Sequence, residues 1–168
     1  MTNKLWEASL KEKKNSNLYA FEKLISKKTK KKFNLNYKTL LNWTVKNSPE
    51  FWNYFWEFSE IKGSKSKKKI KKSKIFHKNL FLPGTKLNFG QNLLSKNTFD
   101  KALTFISENG YREERSWKQL NLNTAKLVQF FKEMKIVKGD RIAAYMPNCS
   151  ETVEAFIASS AIGGIWSS

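Results

Sequence analysis

The order of apolar and polar positions divides the chain into three stretches of different texture. In the first, "NSNLYAFEKLISKK" places Leu18, Phe21 and Ile25 on one face at helical spacing, and Asn15 or Ser16 offers an oxygen to cap the helix start. "NSPEFWNYFWEF" predicts a second helix, with Ser48 as N-cap, Pro49 at the first helical position and Glu50 beside the positive end of the dipole. Its aromatic residues Phe51, Trp52, Tyr54, Phe55, Trp56 and Phe58 run almost all the way round, so the helix is expected between other layers of structure. Core packing is favoured over an aromatic cage for a ligand.

The second stretch, "KGSKSKKKIKKSKIFHK" from Lys62 to Lys78, repels itself and buries almost nothing, which predicts a loop or linker. It lacks the interleaved aromatics that would stack nucleobases. As a phosphate loop, "GSKS" lacks a second glycine and a preceding strand.

Beyond it, helix and strand signals alternate. "FLPGTKLNFGQNLL", Phe81 to Leu94, reads as an extended segment with a Pro83-Gly84 turn. A strand from Ala102 to Ser107, an Asn109-Gly110 turn and a return strand toward Ser116 predict a hairpin. A helix from Trp117 to Lys135 carries Leu120, Leu127, Phe131 and Met134 on one face. The run Ile142 to Met146 reads as a parallel strand buried on both faces and stopped by Pro147. Ser150 then caps a helix with Val153, Phe156, Ile157 and Ala161 inward, and Gly163-Gly164 turns the chain into "IWSS". Strand, helix and strand in this order form a βαβ unit, the seed of a parallel sheet, and a two-strand seed leaves edges that call for more chain.

Composition changes this picture little. A length of 168 residues with 40% hydrophobic residues supports a packed core. The formal charge of +18 suggests nucleic acid or an anionic membrane as partner, yet only Arg112, Arg115 and Arg141 can make a bidentate fork. The lysines read as a solvated surface, which argues against both a nucleic-acid and a membrane partner. The single Cys149 excludes an internal disulfide, and with one histidine, His77, no Cys/His metal site can be assembled. A Cys149–His77 nucleophilic pair is the weakest of the readings. The chain shows neither a signal-peptide core nor an apolar run long enough to span a bilayer, so a reducing, cytoplasmic setting is expected.

Against this background, "YMPNCSETVEAFIASSAIGGIWSS" resembles the first βαβ element of the acyl-adenylate-forming ligases, through Gly139, Asp140, Arg141, Pro147, Asn148, Glu151, Gly163 and Gly164. "LWEAS", "NWTVKNSPEFWNYFW" and "FLPGTKLNFGQNLL", together with the "IWSS" ending, look like the acetoacetate–CoA ligase branch of that superfamily. The resemblance implies an α/β fold: a helical N-terminal region over residues 1–96, containing the 62–78 basic linker, then the incomplete start of the AMP-binding domain over 97–168. It also implies a carboxylate substrate, acetoacetate, activated by Mg2+-ATP to an acyl-adenylate and transferred to coenzyme A.

In such enzymes the phosphate loop, adenine segment, ribose-binding Asp and catalytic Lys lie far downstream. No catalytic, cofactor-binding or metal residue is therefore assigned here, and neither ATP, Mg2+ nor coenzyme A is expected to bind productively to this stretch alone. The chain is expected to be an N-terminal fragment. Two alternatives remain, a ligase for acetate or propionate and a lysine-rich module for nucleic acid or anionic surfaces.

Overall fold

Side-chain oxygens placed just before apolar runs start most of the helices. The computed structural model describes residues 5–168. Helix α1 (Leu10–Lys14) opens with a capping box between Ser9 and Glu12, α2 (Asn17–Thr29) is capped by Ser16, and α3 (Tyr37–Lys46) by Asn36. Helix α4 (Ser48–Phe58) starts one residue earlier than expected, with Asn47 at the N-cap and no side-chain cap bond. The chain divides into two compact units between Lys86 and Leu87.

The first unit is organised by an aromatic core. Phe21, Ile25, Phe33, Leu40 and Trp43 are buried, and Phe51, Tyr54 and Phe58 of α4 pack against them. Phe21 meets Phe51 edge-on with centroids 5.8 Å apart, and Trp43 stacks on Tyr54 at 6.5 Å. Such pairs each contribute about 0.5–1.5 kcal/mol beyond their buried area.

Helix α4 packs on this core and also meets Phe81 through Trp52 at 5.9 Å, yet none of its residues is fully buried, and Trp52 and Phe55 remain 41% and 36% exposed. The helix satisfies part of its aromatic surface internally, through the Phe51–Trp52 and Trp52–Phe55 contacts. Helix α3 escaped the sequence reading because Tyr37, Leu41 and Val45 face solvent, which blurs its periodicity. The loop before it holds Lys30, Asn34 and Leu35 at positive φ, a conformation that costs a leucine roughly 1–2 kcal/mol. The buried Glu22 steadies it by accepting the Leu35 amide at 3.0 Å.

The lysine-rich stretch is more than a tether. It contains β1 (Gly63–Ser64), β2 (Ile70–Lys71) and a 3-10 turn at Phe76–Lys78, followed by β3 (Leu80–Phe81). Strands β2 and β3 pair antiparallel, with Ile70 opposite Phe81 and Lys71 opposite Leu80. Lys65 donates to Glu57 and Lys69 to Glu50, each at 3.3 Å, so the segment is tied to α4. Pro83-Gly84 forms the expected turn, closed by the Thr85 amide on the Leu82 carbonyl at 3.1 Å with Gly84 at φ 84°.

Strand β4 (Lys86–Leu87) leads to α5 (Phe89–Leu93), a short helix where only extended chain was expected. Asn88 explains it. Its Oδ1 accepts the Gln91 amide at the start of α5, while its Nδ2 donates to the Ser160 and Ala161 carbonyls at 3.2 and 2.9 Å. The predicted hairpin is present as β5 (Lys101–Ile106) and antiparallel β6 (Arg112–Ser116), turning through Gly110 at φ 83°.

Helix α6 (Trp117–Glu133) begins at a Ser116–Gln119 capping box and buries Leu120, Thr124 and Phe131, whereas Met134 lies past its end and is exposed. Strand β7 (Arg141–Ala143), helix α7 (Ser150–Ile162) and strand β8 (Ile165–Ser167) form the predicted βαβ unit, with β7 and β8 parallel and Ile142 opposite Trp166. The strand is shorter than the apolar run. Strand β7 stops at Ala143, and Tyr145 and Met146 lie outside it and are exposed instead of buried on both faces.

A Cβ added at Gly90 would lie 2.9 Å from both the Ala161 nitrogen and the Ile157 oxygen, backbone atoms that cannot swing aside. Gly90→Ala should therefore push α5 off α7 and destabilise the protein by about 1–3 kcal/mol in urea unfolding. An unchanged midpoint would show that this close approach is dispensable.

Candidate functional site

The densest polar constellation in the second unit forms where β6, α6 and α7 meet. Arg115, on β6, extends a guanidinium that donates from Nε to Glu154 at 3.3 Å and from Nη2 to Glu151 at 3.0 Å, and it also pairs with Glu113 through Nη1. Glu154 is buried on α7 and accepts a further bond from Asn123 Nδ2 of α6 at 2.8 Å. Hydrogen bonding to Glu113 and the surrounding carboxylates holds the Arg115 pKa above its ordinary value. Three acids around one cation form a network that ties β6, α6 and α7 together.

The start of α7 lies beyond the carboxyl end of β7, the side on which open α/β sheets bind ligands. Cys149 is its N-cap but makes no capping bond, and Ser150, the expected cap, is buried with an unpartnered Oγ, as is Thr124 Oγ1 on α6. The Glu151 carboxylate takes up the positive end of this helix. Its own backbone N–H, the Cys149 thiol and Arg115 hold it below the ordinary value of 4.5.

A phosphate placed there would meet that carboxylate, so the helix start does not fit a nucleotide. Among the described residues, no group of three or more His, Cys, Asp or Glu could hold a metal ion.

The motif residues of the βαβ element separate into structural roles. Asp140 Oδ2 accepts the Val137 amide at 2.8 Å and its carbonyl accepts the Ile165 amide at 2.7 Å, joining the two strands. The Pro147 carbonyl accepts Thr152 Oγ1 at 2.7 Å, and Gly163 adopts φ 79° to end α7. Cys149 Sγ lies 3.3 Å from Thr152 Oγ1, while His77 belongs to the first unit, beside Ile70 and Phe81. Nothing in the sequence marked Glu154 and Asn123. A usable signal for Arg115 was its rarity, one of three arginines in a lysine-rich chain.

The fold is similar to that of the N-terminal part of a solved acetoacetyl-CoA synthetase. Over 98% of its length the chain matches 26% of the acetoacetyl-CoA synthetase from Streptomyces lividans, with a TM-score of 0.87 at 21% identity. In sequence it is a relative of the acetoacetyl-CoA synthetases, 38% identical over 136 residues to the one from Xenopus tropicalis, covering 79% of this chain and 20% of that protein. It is also 26% identical over 170 residues to the malonamoyl-CoA synthetase of Penicillium aethiopicum, covering 96% of this chain and 23% of that protein. No family model matches the chain. The chain spans about one fifth of the length of the curated relatives it matches. Among the described residues, no helix is long and apolar enough to cross a membrane.

Arg115→Ala should cost roughly 3 kcal/mol, because it strands the buried Glu154. Arg112→Ala, which removes only an exposed pair with Glu114, should cost less than about 1 kcal/mol. Equal losses for the two variants in chemical denaturation would refute the distinction.

Protonation adds a second test. Glu151 binds its proton more weakly when folded, so its contribution is complete above 4.5 and disappears as pH falls through the lower folded value. Glu151→Gln should flatten the acid limb of the stability curve. An unaltered limb would assign acid sensitivity elsewhere, for instance to Glu114, which Lys101 and Arg112 depress in the same direction.

Proposed function

We propose that this chain is the N-terminal part of an ATP-dependent acetoacetate–CoA ligase, an enzyme that converts acetoacetate, ATP and coenzyme A to acetoacetyl-CoA, AMP and pyrophosphate through an acyl-adenylate. The observation that carries the reading is the 38% identity over 79% of the chain to a protein named for that product. In this reading residues 1–96 are the helical N-terminal region and 97–168 begin the AMP-binding domain. ATP, Mg2+, coenzyme A and the small carboxylate belong to the whole enzyme, in a reducing cytoplasmic setting. The residues described here supply scaffold: β7 and β8 start the parallel sheet, α7 covers it, and Arg115 locks the β5–β6 hairpin to that helix.

A second reading, a ligase for another short acid, draws support from the malonamoyl-CoA synthetase, whose similarity extends over 96% of the chain.

The test is a chimera in which residues 1–168 replace the matching segment of the Streptomyces lividans enzyme. It should catalyse acetoacetate-dependent ATP–pyrophosphate exchange, whereas the 168-residue chain alone should show none above a boiled control. A chimera that folds without exchange activity would overturn the reading. Exchange by the short chain alone would overturn the assignment of the chemistry to residues outside it.

A further inference from the structure

The excursion between β2 and β3 carries an apolar tip in a basic surround. Ile75 is 47% exposed and Phe76 91% exposed, although an aromatic ring held in water forgoes the burial that other phenylalanines of this unit obtain. The tip is ordered by its own hydrogen bonds. Asn79 Oδ1 accepts the Ser73 amide at 3.0 Å, Asn79 Nδ2 donates to the Phe76 carbonyl at 2.7 Å, and the Lys78 amide closes on the Ile75 carbonyl at 3.0 Å. The ring is therefore presented to solvent by a defined turn.

Flanking it in the chain, Lys71, Lys72, Lys74 and Lys78 are exposed, and no Asp or Glu occurs between Glu60 and Asp100. Lys65 and Lys69, by contrast, are engaged with Glu57 and Glu50, anchoring the base of the excursion on α4.

We propose that this tip docks on an anionic lipid surface, with Phe76 and Ile75 entering the boundary between headgroups and acyl chains and the lysines resting over acidic headgroups. The chemistry selects this partner over two others. Lysine is a strongly hydrated point charge on a long apolar stem, suited to a fluid layer of anionic headgroups, while the bidentate arginine fork that favours nucleic-acid phosphates is absent from the segment. One exposed ring also makes a poor stacking platform for successive bases. A second copy of the chain would bring another +18 against the same patch. One apolar tip with a basic surround holds a surface reversibly and does not span it.

The test is co-sedimentation of the 168-residue protein with phosphatidylcholine vesicles, with and without about 30% phosphatidylserine as the anionic lipid. The protein should pellet with the mixed vesicles, not with phosphatidylcholine alone, and salt should weaken the binding. Replacing Ile75→Ser together with Phe76→Ser should reduce binding about tenfold, since the apolar insertion is lost while every charge remains. The thermal melt should not move, because both side chains are exposed. Lys72→Glu with Lys74→Glu should reduce binding to the mixed vesicles at low salt.

Failure of the parent to pellet, or equal pelleting of the double-serine variant, overturns the proposal. So does a single-stranded oligonucleotide that strips the parent from the vesicles and loses affinity equally in the double-serine variant, which would make the tip a general polyanion reader.

Discussion

The second unit depends on how closely other backbones can approach helix α7. Small residues along it, Ala155, Ala158, Ser159 and Ala161, leave room for neighbours that larger side chains would hold away. Gly90 brings α5 against its last turns, Asn88 satisfies two of its final carbonyls, and Gly163 turns the chain back into β8. At the other end Arg115 and Asn123 converge on Glu154. Each contact would be lost to a modest increase in bulk or to one missing polar partner, so this helix is the least substitutable element of the unit.

The buried acid has its own logic. A carboxylate inside α7 would be costly alone, and it is tolerable because a guanidinium and an amide meet it from two other elements. That requirement specifies which face of the β5–β6 hairpin adjoins α7, a choice apolar packing alone would leave loosely determined. The same network places Glu151 over the helix start, so the position where a nucleotide phosphate could have sat is filled by a protein carboxylate.

The first unit solves a different problem. Its core is aromatic and small, and its lysines stay solvated, with a few drawn onto Glu50 and Glu57. The basic stretch is anchored at its base and carries its apolar residues at its tip. High charge and a defined conformation coexist because the hydrogen bonds that order the turn come from Ser73 and Asn79 and not from burial.

Local sequence determined what local physics controls. The helix starting after Ser16, the Pro83-Gly84 and Gly110 turns and the βαβ order were legible because caps, positive φ and apolar periodicity act over a few residues. The resemblance carried by the Gly139–Asp140–Arg141 and Pro147–Asn148 pairs was legible for the same reason, since residue identity at fixed spacing needs no third dimension. Tertiary structure alone decided that Glu154 is buried, that Arg115 rather than Arg112 or Arg141 is the hub, and that Gly90 is a contact and not a flexible joint. These outcomes rest on residues far apart in the chain, as in the Asn123–Glu154 and Asn88–Ala161 bonds at separations of 31 and 73, where no periodicity reaches.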